Sequence, residues 1–444
     1  MENIVRITRA RLAGSSRPAH RGTATVALYF FVLILANGMV SSLRMLKDAA
    51  STQGGSPSDI TVADRLSPED LAACPKLRIA LINQVSCHYE VLAGLVHLFE
   101  PLAQQTDIYI SNLTTAARGV GAWELLQPYH SNFIFLNETT RTLLNSSSAP
   151  SYDLVVLVSP EYHKADIGEW VRNMRPRMTV VYVHNVAVNL EIQELVAAVS
   201  QGGGEIKLVT LSPHTSELLE SMVGQPVDWV LAAYPFSPNR SCEEVPENDL
   251  LGSCVRGFCV QGTLEGSRRG YGLLWDEMEA RRSLLSTGPA SALFHVTVLG
   301  KGDRRAVGVP ADLQDRVTVS TDVPFTQFYE SMHHSLAILP ALNNVTYLKN
   351  KFTSSILSSL ITGTPLVANS TFLHAYRMLS EESVFLQDDS EPEVDTMLRV
   401  VALPAAQVQA VRRGVLEVRR QVNARAAGYF DRLLKVLCAA RKQW

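Results

Sequence analysis

The sequence predicts an α/β protein of two doubly wound parallel-sheet lobes behind a single N-terminal transmembrane helix. Three observations predict it: an uncharged apolar run near the N-terminus, a series of short β-branched runs separated by helix-length segments, and a polar break that divides the series in two. Hydrophobic residues make up 46% of the 444 residues and charged residues 19%, a balance able to bury more than one core. The formal net charge of −3 lacks the basic footprint of a nucleic-acid binder, so no nucleic-acid partner is expected.

The apolar run is residues 23–43, centred on Val26 to Ala36. As a helix rising about 1.5 Å per residue it would span roughly 30 Å, the thickness of a bilayer core. It has no polar face, as a buried core helix would. Arg6, Arg9, Arg11, Arg17 and Arg21 precede it, whereas Arg44 and Lys47 follow. The positive-inside rule then puts residues 1–22 in the cytoplasm and the body in the lumen. The rival reading, a cleaved signal peptide, fits less well because the run is long and no small-x-small site closes it. Residues 44–75, rich in Ser, Gly, Pro and Asp, read as a flexible stem.

A lumenal body agrees with glycosylation sequons at Asn112, Asn137, Asn145, Asn239, Asn344 and Asn369. The compartment would also allow disulfides. Cys242 and Cys254 bracket a polar loop and are the expected pair, while Cys259 sits in an apolar strand as a buried thiol. No spacing suits a zinc site, and no metal is expected.

From Leu77 the apolar runs begin: Leu77–Ile82, Ile108–Ile110, Asn132–Leu136, Leu154–Val158, Val180–Val183 and Ile206–Leu211. Near-continuous runs of this kind are strands buried on both faces. They assign residues 76–240 to one lobe. After the break the pattern restarts at Gly257–Gly262, Phe294–Leu299, Val317–Val319, Leu336–Leu339, Pro365–Ala368 and Val384–Leu386, a second lobe over 255–404. Residues 405–444 read as a helix, whose stripe of Tyr429, Phe430, Leu433, Leu434 and Leu437 is expected to pack back on the first lobe.

Ligands of open α/β sheets sit at the carboxyl ends of the strands, and three strand ends there carry suitable chemistry. Lys349 and Lys351 run into Thr353, Ser354 and Ser355 at the start of a helix that stops at Gly363, followed by Thr364 and Pro365. Free N–H groups at a helix start, hydroxyls and a lysine suit phosphate oxygens; the plainer reading is a capped helix with solvated lysines. Gly262 is followed by Arg268 and Arg269, whose guanidinium groups can fork onto phosphate. Lys301 projects from the turn Gly300-Lys-Gly302. In the first lobe His88 and Glu90 follow the first strand and His184 ends another; they could orient or deprotonate an acceptor hydroxyl, or be ordinary structural residues.

The order of these features resembles the C-terminal lobe of retaining GT-B glycosyltransferases that use nucleoside-diphosphate sugars: Gly262 with Arg268-Arg-Gly270, Gly300-Lys-Gly302, Leu336-Ala-Ile-Leu-Pro340, and Gly363-Thr-Pro-Leu-Val-Ala368. The resemblance spans residues 257–385 and is looser in the first lobe, at Arg78–Ile82 and Val183-His-Asn185. It implies two Rossmann-like lobes, an acceptor lobe first and a nucleotide-sugar lobe second. It also implies donor contacts at Gly262, Arg268, Arg269, Lys301, Lys351, Thr353, Ser354, Ser358 and Thr364, with no cofactor beyond the sugar donor. The acceptor would be a glycan, glycoprotein or glycolipid, and the address a single-pass type II protein of the Golgi or endoplasmic reticulum membrane.

Two departures from the family pattern stand out. The paired glutamates of many members fall at Asn350 and Ser358, and an arginine often found after the first glycine is Thr263. The alternative is therefore an inactive lumenal binding or scaffolding protein on the same fold. A nicotinamide oxidoreductase would need a Gly-x-Gly-x-x-Gly after the first strand, and Ile82 to His88 contains no glycine. A single-lobed, metal-dependent transferase would need Asp-x-Asp, which the chain lacks.

Overall fold

A computed structural model describes residues 77–111, 121–162, 166–187, 189–202, 204–288 and 290–441. The expected tail, membrane span and stem, and the sequon at Asn112, lie outside these residues. Among the described residues no helix is long and apolar enough to cross a membrane.

Seven parallel strands build the first sheet: β1 (Ile79–Asn83), β2 (Thr106–Ser111), β3 (Asn132–Leu136), β4 (Leu154–Val158), β5 (Met178–Val183), β6 (Glu205–Thr210) and β7 (Val227–Trp229). Their order is β3-β2-β1-β4-β5-β6-β7, so the winding reverses between β1 and β4. The apolar runs form the strands because every residue of β1, β4 and β5 is buried, as strands covered on both faces require. The sequence gives no hint of β7, a three-residue strand with Asp228 at its centre.

The second sheet has six parallel strands: β8 (Phe258–Thr263), β9 (Val296–Lys301), β10 (Val317–Thr321), β11 (Ala337–Leu339), β12 (Leu366–Asn369) and β13 (Val384–Gln387). Its order, β10-β9-β8-β11-β12-β13, reverses between β8 and β11. Helices α1 (Tyr89–Phe99), α2 (Ala122–Leu126), α4 (Phe325–His333) and α5 (Ser354–Thr362) bear on the cleft between the lobes, whereas α3 (Tyr271–Ala280) packs into the core of the second lobe.

The long terminal helix α6 (Ala405–Arg441) ties the lobes together. On the second lobe Arg412, fully buried, places Nη2 3.0 Å from Glu243 Oε1. Gly414 lets the helix press on the chain before β13, where a Cβ would lie 2.1 Å from Glu382 O. On the first lobe Asn423 exchanges two hydrogen bonds of 2.8 Å with the backbone of Ala233. The Phe430 ring packs 4.9 Å from that of Phe99 in α1, and Tyr429, Leu433, Leu434 and Leu437 are buried with it. One core cluster runs from Leu92 and Val96 of α1 through Ile356 and Leu360 of α5 to Val418 and Val422 of α6. Each such side chain contributes roughly 1.5–3 kcal/mol by leaving water.

Cys242 and Cys254 form a disulfide in the break between the lobes. His333 and His334, at the end of α4, are tied to it. His333 Nε2 accepts a hydrogen bond from Cys242 N at 3.0 Å, and His334 Nδ1 lies 2.8 Å from Cys254 O. Of the sequons, Asn137, Asn145, Asn239 and Asn344 are exposed; Asn369 is half-buried and caps a helix by accepting from Phe372 N.

Candidate active site

Both reversal points open onto one cavity of about 480 Å³ between the carboxyl ends of the two sheets. His88, Glu90 and His184 line it from the first lobe. Gly262, Arg268, Arg269, Lys301, Lys351 and Ser354 line it from the second.

On the first-lobe wall, the loop after β1 ends at His88, which precedes α1 in a left-handed conformation with φ 59°. Its Nδ1 lies 2.8 Å from Ser159 Oγ, on the loop after β4, and Ser159 is itself at φ 52°. Non-glycine residues in this region store strain, which persists where surrounding contacts fix the backbone. The His88 ring lies against that of His184. Burial, reinforced by the ammonium of Lys351, lowers the His88 pKa to about 4. Burial, His88 and Lys351 hold His184 well below its usual value. Both imidazoles are therefore neutral at pH 7 and can each donate and accept one hydrogen bond.

Beneath them lies Glu161, which sequence reasoning missed. Its Oε1 accepts from His184 N at 2.7 Å and Asn185 N at 2.9 Å, and burial raises its pKa to about 7. The signal was positional: Ser159-Pro-Glu-Tyr162 directly follows β4, a strand at the reversal point. Glu90, in the first turn of α1, also has its pKa raised by burial.

The opposite wall is cationic. Arg269 is buried; its Nε donates to Gln261 O at 3.0 Å, and its Nη1 has no protein partner. Gly262 makes room for it, since a Cβ there would stand 2.8 Å from Arg269 Nη2, at a φ of 131° that favours glycine. Arg268 pairs with Glu265 at 2.9 Å and remains largely exposed. Tyr347 offers its ring to Lys351 at 5.6 Å and to Arg269 at 5.8 Å from the centroid. Gln261 Nε2 donates to Ser354 Oγ at 3.1 Å, joining the end of β8 to the start of α5. Asp322, after β10, also lines the cavity and had not been singled out.

Three expected donor contacts do not reach the cavity. Thr353 is fully buried, with its side chain capping α5 at Ser355 N. Ser358 is buried within α5, and Thr364 donates from Oγ1 to Met332 O at 2.8 Å. Residues 355–362 of α5 are all buried, which puts Ser358 in the core, while Thr353 and Thr364 at its two ends are buried with their hydroxyls bonded to backbone groups. Among the described residues, the side chains that cluster as metal ligands are Cys242, Cys254 and His334, away from the cavity and with both sulfurs in the disulfide.

Solved structures share the two-lobed fold. Anabaena Alr3699/HepE, solved with UDP-glucose, superposes with a TM-score of 0.52 at 13% identity, covering 78% of this chain and 98% of its own. A glycosyltransferase from Rickettsia africae gives 0.52 at 12% identity over 81% of this chain and 98% of its own. An alpha-glucosyltransferase solved with UDP-glucose and DNA containing an abasic site gives 0.50 at 13% identity, over 78% and 95%. No family model and no curated protein matches the chain. What the chain has in common with these structures is the fold, the two-lobed GT-B architecture of glycosyltransferases.

Proposed function

We propose that the chain is a glycosyltransferase that moves a sugar, with retention, from a nucleoside diphosphate to an acceptor hydroxyl held in the cleft. The observation that carries this reading is the convergence of Arg268, Arg269, Lys301 and Lys351 beside the start of α5 on one wall of the cavity. As the bond from anomeric carbon to phosphate oxygen breaks, the diphosphate gains negative charge. Fixed cations stabilise that change more than the ground state. His88, Glu90 and His184 on the facing wall supply hydrogen-bonding groups for the acceptor and the transferred sugar. No metal is needed where four side-chain cations already face the diphosphate. The basic residues before the uncharged span at 23–43 and the exposed sequons support a type II membrane anchor with a lumenal catalytic region.

The test is nucleotide release from a panel of UDP-, GDP- and ADP-sugars, with the product's anomeric configuration read by NMR. Release from none of them would count against the reading. A second reading, an inactive binding protein, is favoured by Asn350 and Ser358 at the positions of the family's glutamates. Ser358 is buried, and Asn350 O is already engaged by Val186 N at 3.0 Å. Such a protein would bind UDP and release none from UDP-sugars.

A further inference from the structure

The turn after β5 is specified amide by amide. The N–H groups of His184 and Asn185 both go to Glu161 Oε1, and that of Ala187 goes to Asn185 Oδ1 at 3.1 Å. The N–H of Val186 crosses the cleft to Asn350 O at 3.0 Å, and Asn185 forms an antiparallel bridge with Lys351. Lys351 belongs to the cationic wall, so one turn of the first lobe sets the backbone that carries a donor-site lysine in the second.

Glu161 is 4% exposed, and its second oxygen, Oε2, has no protein partner. A buried carboxyl group left half-satisfied is costly, so the two hydrogen bonds that Oε1 accepts are what retains it. Among the described residues the amides of His184 and Asn185 have no other acceptor.

We propose that Glu161 is a positioning residue: by fixing the His184–Asn185 turn it sets the interlobe bridge to Asn350 and Lys351, and with it the placement of the Lys351 ammonium in the cavity. It acts through the turn and touches no substrate. This deepens the donor-site reading and rests on it for the consequence, though the clamp itself is a property of the unliganded chain.

The test compares amide hydrogen exchange in the unliganded wild type, Glu161→Gln and Glu161→Asp. Gln keeps an acceptor oxygen at the same reach, whereas Asp is one methylene short of both amides. In Glu161→Asp the amides of Asn185 and Val186 are expected to exchange about tenfold faster or more, as loss of a buried hydrogen bond implies. Gln is expected to stay near wild type, and β9 amides to be unchanged in both. If Asp does not fold, Glu161→Met fills the same volume without accepting and takes its place. Unchanged exchange at Val186, equal loosening by Gln and Asp, or an equal rise in β9 would each overturn the proposal. UDP affinity, measured by calorimetry on the same proteins, is expected to weaken in Asp and hold in Gln. A wild type that binds none of UDP, GDP and ADP would sink the donor-site reading and leave the exchange result standing.

Discussion

The imidazole of His88 lies flat on that of His184, with ring centroids 3.7 Å apart and planes 10° from parallel. Protonating one ring would place a charge against its neighbour and near Lys351, which also depresses both. The sign of the consequence follows from linkage. The unfolded chain takes up the His88 proton below the ordinary value of 6.5, whereas the folded chain waits until about 4. Stability from this residue is therefore present above 6.5 and lost as pH falls through 4, by at most about 3 kcal/mol. Urea unfolding of wild type and His88→Gln at pH 7.5 and 4.5 should show the smaller loss in the variant. Equal losses would exclude His88 as a contributor.

Lys351→Ala removes an ammonium from the cationic wall but little packing, because the side chain is half-exposed. Nucleotide release is expected to slow on the order of 10²–10³-fold, with stability within about 0.5 kcal/mol of wild type. Turnover at the wild-type rate would remove Lys351 from the donor site.

At Gly262, alanine would place a methyl group 2.8 Å from Arg269 Nη2 on a backbone of positive φ. Strain of about 1–3 kcal/mol is expected, together with weakened UDP binding as the guanidinium is displaced. Thermal unfolding and calorimetry read the two effects separately. A fully stable variant with unchanged affinity would show that Arg269 has room to move.

Arg412→Ala would leave Glu243 without its cation beside the fully buried site on α6. Breaking such a pair costs about 3–5 kcal/mol, against far less for an exposed pair such as Arg420 and Glu417. Parallel urea titrations of Arg412→Ala and Arg420→Ala check this, and similar midpoints would contradict it.

The strands were legible because burial on both faces writes itself into composition: Leu154 to Val158 contains nothing but apolar residues. β7 was not, since Val227-Asp228-Trp229 is too short for any period to emerge. In the cavity, the glycine turns and cations could be placed by position at strand ends. Hydroxyls could not. Thr353, Ser354 and Ser358 look alike in the sequence, and only the cover over α5 separates the one at the cavity from the two that are buried. Glu161 escaped because its partners are backbone amides more than twenty residues away, and an amide has no sequence signature.

Helix α6 also imposes an order on biosynthesis. The first lobe's sheet is complete at Trp229, but the surface around Phe99 is covered by Phe430 and Leu434 only about 200 residues later. At roughly 5–20 residues per second, the ribosome leaves that apolar surface bare for about 10–40 s. During this interval the nascent chain must stay soluble without its own last helix. Substitutions that weaken the Phe99–Phe430 contact would accordingly lower the yield of folded protein more than its measured stability, because they act on a contact made late in synthesis.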